Sequence, residues 1–323
     1  MPDLRAYWRS DLLVGGVLAA LLCAAALLGP WLAPYPPERT WDAAAGRLLP
    51  PGSAGLAVEL RDGRTLLAES VEPRGTTLRL LRLGRWQSLA SAEVSSVHAV
   101  SFPLGTDRYG RDLASRLLAG ARVSLRIGLL VVAITILLGS LVGAAAGLGP
   151  PWLDALLSRL TDGLLAFPRL FLVLTLAALA GGGETLVVLA LALTGWMEVA
   201  RLVRAELRRL RGEDFVLAAR AVGVPRGRLL MRHLLPLALA PVIVTAALRL
   251  GEALLAEAAL SWLGFGVQPP EASWGSLLAE AQASLPGAWW VAVFPGLAIS
   301  LAVLAAGLLG EGLQARLEPH GRG

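Results

Sequence analysis

Three uncharged apolar stretches constrain this chain more than any other feature of its sequence. Residues 12–32, 127–148 and 288–310 contain no charged side chain. Each is 21 to 23 residues long. A helix of that length, rising about 1.5 Å per residue, crosses the roughly 30 Å apolar core of a bilayer. Charged residues make up only 16% of the 323 residues, which also disfavours a soluble protein. We therefore predict an all-α polytopic membrane protein.

Three further spans are predicted where apolar stretches contain a charge or end at glycines. Residues 164–180 and 185–197 lie on either side of three consecutive glycines and are predicted to form a helical hairpin across the membrane. Residues 234–265 complete a set of six transmembrane helices. The first of the six follows two arginines and could be a secretory signal, but its length favours a span that is retained.

The arginines indicate how these spans are oriented. Residues 201–232 contain nine arginines and three acidic residues, and so large a basic excess in a short loop predicts a cytoplasmic position. Six spans then place both termini in the cytoplasm. A basic segment can also bind nucleic acid, but beside a span it favours orientation and contact with anionic membrane lipid. No nucleic-acid partner is therefore expected.

Short strand patterns occupy the segment between spans 1 and 2, which this orientation places outside the cell membrane. Apolar stretches bounded by turn residues lie at 56–60, 65–71, 76–83 and 94–100. They predict a small extracytoplasmic β-rich insertion over about 56–100. The predicted domains are an N-terminal segment with span 1 (1–33), the extracytoplasmic loop (34–102), and a core with five spans (103–323) that includes a cytoplasmic loop (201–233).

The absence of lysine restricts the chemistry that this chain can perform. All 29 basic residues are arginine, whereas the loop that cradles ATP phosphates requires a lysine. One cysteine and three widely separated histidines form no metal-binding or nucleophilic pattern. We predict a chain that is not an enzyme and has no catalytic residue, metal or cofactor of its own.

Charges within the predicted spans are candidate pathway residues. Arg249 and Glu252 are three residues apart on one helix and can pair. Ionisable residues inside a membrane usually face a cavity or a partner. One hypothesis is that Glu252 and Glu257 line the outer part of a transport pathway and meet a cationic group. The alternative is a structural salt bridge, with Glu257 near the lipid headgroups. Glu198 is interpreted as interfacial.

A stripe of glycines marks the second span. Gly139, Gly143 and Gly147 recur at four-residue spacing, which lets another helix approach closely. The stripe predicts either packing within the chain or an interface with another subunit.

A short amphipathic helix is predicted inside the cytoplasmic loop. Phe215, Ala218, Ala219 and Val222 share one helical face. Gly223, followed by a valine and a proline, is expected to end the helix. The apolar face must be covered either by the ends of the chain's own helices or by a partner.

This loop resembles the cytoplasmic signature E-A-A-x3-G-x9-I-x-L-P of permease subunits in binding-protein-dependent ABC importers. The matching positions are Ala218, Ala219, Gly223, Leu235 and Pro236. Leu217 replaces the glutamate of the signature and His233 its isoleucine.

Other segments extend the resemblance along the chain. Residues 103–112, 260–270 and 294–299 resemble the C-type subunit of dipeptide, oligopeptide and nickel permeases. Residues 56–100 depart from that pattern, because the family usually has a shorter connection there.

The resemblance implies a role for the amphipathic helix. It would be a coupling helix at about residues 213–224, seated in a groove of a cytoplasmic ATP-binding subunit. The residues implied in coupling are Glu213, Asp214, Phe215, Ala218, Ala219, Gly223 and Val224.

The resemblance also implies partners and a function. The partners would be a homologous second permease, two ATP-binding subunits that hold ATP and Mg, and an extracytoplasmic solute-binding protein, all at the inner membrane. The implied function is translocation of di- or oligopeptides or a related small solute. The alternatives are an ion-driven secondary transporter and a membrane anchor or assembly subunit that does not transport.

Overall fold

The computed structural model describes residues 4–317, which are mostly helical. The α-helices of this part of the chain are α1 (Leu4–Leu32), α2 (Leu113–Leu148), α3 (Pro151–Leu165), α4 (Arg169–Ala180), α5 (Glu184–Leu210), α6 (Asp214–Ala221), α7 (Arg226–Leu229), α8 (Leu235–Trp262), α9 (Trp274–Ala281) and α10 (Trp290–Leu317). A π-helical turn, Leu230–Leu234, leads from α7 into α8.

Five of these helices are long and apolar enough to cross a membrane, namely α1, α2, α5, α8 and α10. Helices α3 and α4 are bent by 84° at the break between them and would make a sixth span if the pair is counted as one. Helix α3 has no counterpart among the predicted spans. It begins at Pro150-Pro151, where the fixed φ of proline suits the first helical turn.

Two predicted boundaries are wrong. Helix α5 continues to Leu210, so the span predicted at 185–197 is too short and the predicted loop 201–233 begins inside a helix. Helix α2 begins at Leu113, well before residue 127. Asp112 caps that start, since its carboxylate accepts hydrogen bonds from the Ser115 amide at 2.8 Å and the Ser115 hydroxyl at 2.6 Å.

The described chain divides into two compact units. Within the described residues, the first takes in 4–22, 125–266 and 300–317, and the second takes in Cys23–Ser124 and Val267–Ile299. In the first unit, buried apolar side chains join α5, α6 and the start of α8, among them Val203, Leu207, Val216, Leu234 and Ala238. This core fixes the position of the short helix α6.

The second unit contains two antiparallel three-stranded sheets, with strand orders β2-β1-β6 and β3-β4-β5. The strands are β1 (Ser53–Leu60), β2 (Thr65–Ala68), β3 (Ser70–Arg74), β4 (Thr77–Arg82), β5 (Arg85–Ala90) and β6 (Val94–Phe102). Adjacent residues of β1 are both fully buried, because Ala57 packs with Trp41 and Phe102 while Val58 packs with Leu80 of the other sheet.

The strand boundaries differ from those predicted. The stretch predicted at 65–71 is divided into β2 and β3, and β5 was not predicted at all. β5 is an edge strand whose first four residues are exposed, so its sequence lacks the apolar alternation that identifies a half-buried strand.

Candidate functional site

Helix α6 is held by one deeply buried side chain. Val216 is fully buried in the core formed with α5 and α8, and Ala219 packs partly against the same core. The predicted apolar face is not the buried face. Phe215, Ala218 and Val222 remain exposed, with 82% of Val222 accessible. The helix therefore turns most of the predicted face outward, and the described chain leaves it uncovered.

The C-terminal end of α6 is fixed by its backbone. Gly223 has φ +79°, a left-handed conformation that glycine adopts without a steric penalty. The Val224 amide donates to the Ala219 carbonyl at 3.0 Å, which is the hydrogen bond of a Schellman cap. Pro225 follows and cannot continue the helix. The helix end predicted at Gly223 is confirmed.

The segment after α6 returns the chain to the membrane helices. Leu229 and Leu234 are buried in the same core as Val216. Between them the backbone forms the π-helical turn, and Pro236 lies in the first turn of α8. The junction between α6 and α8 thus differs in backbone geometry from both helices. Single π-helical turns are frequent at functional sites.

Several arginines of the basic segment 201–232 form ion pairs within the first unit. Asp154 of α3 binds both Arg204, at 2.5 Å, and Arg208. Arg201 binds Asp162 at 2.8 Å. These pairs tie α3 to the C-terminal half of α5, where Val203, Leu207 and Leu210 are also buried, so α5 continues as a packed helix beyond the predicted span.

Arginines nearer to α6 also have partners in this chain. Arg209 binds Glu206 at 2.6 Å and Glu213 at 2.7 Å. Arg211 donates from Nη2 to the Leu148 carbonyl at 2.8 Å. Glu213, at the entry to α6, is thereby linked to the last turn of α5.

The charges within the spans form a larger network than predicted. Arg249 donates to Glu252 at 2.9 Å, as their spacing predicts, and it also pairs with Glu198 of α5. Arg169 of α4 lies 3.5 Å from the same Glu252 oxygen. Glu198, interpreted from the sequence as interfacial, is instead part of this network halfway along α5.

Glu257 lies apart from that network. Its side chain is 1% exposed and accepts a hydrogen bond from the Ser261 hydroxyl at 2.8 Å. Glu252, in contrast, is half exposed. The two glutamates therefore occupy different environments, and a pathway role for Glu257 stays a prediction.

The glycine stripe of α2 lies against α5. A Cβ atom on Gly139 would lie 2.5 Å from Val199 Cβ, and one on Gly143 would lie 2.5 Å from the Ala200 carbonyl oxygen. At Gly147 the nearest atom would be Leu207 Cβ at 3.2 Å. In the described chain the stripe thus permits close packing of two of its own helices.

The second unit holds a buried charge network that the sequence did not reveal. Arg111 donates to Asp107 at 2.6 Å and to Glu280 of α9 at 2.6 Å. Arg116 donates to the other Glu280 oxygen at 3.0 Å and is itself 1% exposed. Asp107 and Arg111 are four residues apart, so their pairing could have been predicted from the sequence. Glu280 is too distant in sequence for its pairing to be predicted from spacing.

Burial also affects two aspartates of this unit. Burial raises the pKa of the Asp112 carboxyl, against the opposing effect of its hydrogen bonds from Ser115. At Asp42 burial acts in the same direction, but hydrogen bonds from the amides of Leu67, Ala45 and Ala44 and from Arg82 outweigh it and lower the pKa. Asp42 therefore holds its charge as an acceptor beside the first sheet.

Family comparison identifies the class to which this chain belongs. The family described as the inner membrane component of binding-protein-dependent transport systems matches residues 126–323. The N-terminal transmembrane domain of oligopeptide transport permease C matches residues 12–51. The chain belongs to this family of inner-membrane permeases, as the sequence motifs predict. In such importers the permease works with ATPase and substrate-binding partners, and the ATPase activity lies on partner subunits.

Individual relatives carry names from peptide transport. A putative peptide transport system permease from Brucella suis biovar 1 is 44% identical over 67% of this chain and 73% of that protein. The di/tripeptide transport permease DppC of Pseudomonas aeruginosa is 37% identical over 98% of this chain and 92% of that protein. The glutathione transport permease GsiD of Pectobacterium atrosepticum is 39% identical over 67% of this chain and 72% of that protein.

A solved structure of the MetNI methionine ABC transporter in inward-facing conformations matches 62% of this chain and 95% of that chain, with 18% identity and a TM-score of 0.49.

The Pseudomonas alignment covers nearly the whole chain, including the strands between α1 and α2. The two family matches, in contrast, leave residues 52–125 between them.

Proposed function

We propose that this chain is one of two permease subunits of an ATP-driven importer for di- or oligopeptides or a related small solute. The relatives named above support the peptide class. In this proposal the chain has six spans, with α3 and α4 forming one of them, and both termini in the cytoplasm. The two β-sheets lie outside, on the side from which a solute-binding protein delivers its cargo. ATP and Mg are held by two cytoplasmic ATPase partners.

The observation that carries the proposal is the placement of α6. Val216 anchors the helix to α5 and α8, while Phe215, Ala218 and Val222 face away from the core. A short helix with one anchored face and one exposed apolar face fits the groove of a partner protein, as amphipathic helices do in helix-in-groove recognition. Residues 213–224 then transmit movement of the ATPase to α8 through the π-helical turn.

Coupling requires that the ATPase contact differs between two states of the transporter. In the proposal, ATP binding draws the two ATPase subunits together and moves α6 with them. Because α6 shares a buried core with α5 and α8, this movement reorients membrane helices. An ion-driven carrier has no ATPase to dock, so an exposed helix of this kind favours the importer over that alternative.

Substitution of Ala218 by glutamate tests the proposal. The side chain is exposed, so Ala218→Glu leaves the core around Val216 intact while placing a charge in the proposed contact. We expect ATP-dependent peptide uptake to fall about tenfold or more, since an unpaired charge buried at an interface is strongly unfavourable. Gln314→Glu adds the same charge at an exposed position of α10 and serves as the control.

The measurement is uptake of a labelled dipeptide into proteoliposomes that contain the complete transporter and its binding protein. Co-purification of the ATPase reports assembly of each variant. Uptake by Ala218→Glu equal to that of the control would contradict the role of α6. Purified homo-oligomers of this chain that transport without ATP would contradict the importer itself.

A further inference from the structure

Four charged side chains meet on three helices of the first unit. Arg249 of α8 pairs with Glu252, at 2.9 Å, and with Glu198 of α5. Arg169 at the start of α4 approaches Glu252 Oε2 to 3.5 Å. Positive and negative groups alternate, so the cluster of Arg169, Glu198, Arg249 and Glu252 has no net formal charge. We refer to it below as the four-charge cluster.

Two members of the four-charge cluster, Glu198 and Arg249, lie about halfway along their helices. Glu198 is 14 residues after the first residue of α5 and 12 before its last. Arg249 is 14 residues after the first residue of α8 and 13 before its last. At about 1.5 Å per residue, each group is roughly 20 Å from either helix end. Because the arginine-bearing end of α5 is expected to leave the membrane on the cytoplasmic side, the cluster lies inside the apolar core but toward its cytoplasmic half.

The cluster is nevertheless partly open at that depth. Arg249 is nearly enclosed, but 53% of the Glu252 side chain, 46% of Glu198 and 33% of Arg169 are exposed. Carboxylates and guanidinium groups are too costly to leave against hydrocarbon. The exposed side must therefore face a water-filled passage or a polar surface of another subunit.

Local packing positions Arg169 at this opening. A Cβ atom on Gly195 of α5 would lie 3.3 Å from Arg169 Nη2, so the glycine leaves room for the guanidinium to pass α5 and approach Glu252. The opening thus presents one cation beside two anions. A small solute with one ammonium and one carboxylate group has the complementary pair of charges.

We propose that the exposed part of the four-charge cluster is a transient binding site for the charged termini of a zwitterionic peptide. Glu252 accepts hydrogen bonds from the α-ammonium group, and Arg169 donates to the α-carboxylate. The existing ion pairs compete with the peptide, since Glu252 returns to Arg249 and Arg169 when the peptide leaves. This exchange keeps the affinity low enough for passage. The inference rests on the proposed function and specifies where its substrate is recognised.

The test compares one dipeptide in three forms: both termini free, N-acetylated, and C-amidated. Uptake is measured in proteoliposomes with the complete transporter. For each peptide, the uptake rate of a variant is divided by the uptake rate of the wild type. This ratio removes the preference of the unaltered binding protein. Glu252→Gln and Arg169→Gln are the test variants. Glu184→Gln is the matched control, because Glu184 pairs with Arg126 outside the cluster.

Glu252→Gln should lower uptake of the free dipeptide about tenfold, the loss of one charge-assisted contact, and leave the N-acetylated form within about twofold. Arg169→Gln should show the same contrast between the free and C-amidated forms. Glu184→Gln should give the same uptake ratio for all three peptides. Equal losses for all three peptides in the test variants would show a structural ion pair or a contact with the second permease. No loss at all would also overturn the proposal.

A second measurement applies if the binding protein does not deliver the blocked peptides. A photoreactive dipeptide with free termini is added to the detergent-solubilised complex, and the labelled residues are mapped. Labelling on α4 and α8 that is lost in Glu252→Gln supports the site, whereas labelling elsewhere overturns it. Absence of ATP-dependent uptake of any peptide by the wild type would instead contradict the proposed function.

Discussion

The amide of Val224 donates a hydrogen bond to the carbonyl of Ala219 at 3.0 Å, across Gly223 with φ +79°. This bond closes the end of α6 and brings Val224 and Ala219 against the same apolar core. The end of the proposed coupling helix therefore depends on a backbone conformation that most residues adopt only with strain.

Gly223→Ala is expected to strain this helix end by about 1 kcal/mol or more, because the new Cβ disfavours a left-handed conformation. We expect reduced ATP-dependent uptake with the transporter still assembled. Gly227→Ala in α7 is the control, since neither position has an atom within 4 Å of the added Cβ but only Gly223 has a positive φ. Equal uptake by the two variants would contradict a role for the cap.

Gly139→Ala is expected to destabilise the packing of α2 on α5. The added Cβ would lie 2.5 Å from Val199 Cβ and 2.8 Å from the Trp196 carbonyl oxygen, so the helices must separate. Overpacking of this kind costs about 1–3 kcal/mol. Thermal unfolding in detergent measures the effect, and Gly16→Ala, where no atom lies within 4 Å, should leave the transition unchanged.

Glu280→Gln should destabilise the second unit. The substitution removes the anion shared by Arg111 and the fully buried Arg116. Asp107 stays beside both guanidinium groups, but two buried cations then share one carboxylate, so we expect a loss of about 1–3 kcal/mol. The measurement is hydrogen exchange of α9 and of the start of α2, with the exposed Glu271→Gln as the control. Unchanged protection in both variants would contradict the prediction.

The β-sheets of the second unit should weaken as the pH falls through the pKa of Asp42. The folded state lowers this pKa below the ordinary value of 3.8. The carboxylate therefore stabilises the fold above that value, and the contribution is lost as the pH decreases through the folded-state pKa. Loss of the charged acceptor at pH 7, in Asp42→Asn, should cost about 1–3 kcal/mol.

Hydrogen exchange at the Leu67 amide, which donates to Asp42 at 2.9 Å, reports this local stability. Asp62→Asn is the comparison, because its ion pair with Arg64 is exposed and contributes little. An Asp42→Asn protein with wild-type protection at Leu67, or with the same acid sensitivity as the wild type, would refute the assignment.

The features predicted correctly from the sequence are those with local causes. Uncharged length identifies α1 and α10, and the Gly223-Val224-Pro225 sequence identifies the end of α6. What was missed depends on partners distant in sequence. Helix α5 extends to Leu210, and its extension includes Arg204, which pairs with Asp154. These two residues are 50 positions apart in the sequence.

The candidate site follows the same division. The pair of Arg249 and Glu252 was accessible from helical spacing, but Arg169 and Glu198 join it only through the packing of α4 and α5 on α8. The buried face of α6 was misassigned for a related reason. Periodicity identifies an apolar face, whereas the insertion of Val216 between neighbouring helices decides which face is covered.

Arg204 and Arg208 of α5 both pair with Asp154 of α3. We expect these arginines to act at two successive stages. While a chain is being inserted, basic residues hold their end of a span on the cytoplasmic side, and acidic residues contribute little to that choice. Once α3 packs beside α5, the same guanidinium groups become cross-links within the folded subunit. If these arginines set the orientation, the pairing with Asp154 comes later, so we expect replacing Asp154 to lower stability without inverting the chain.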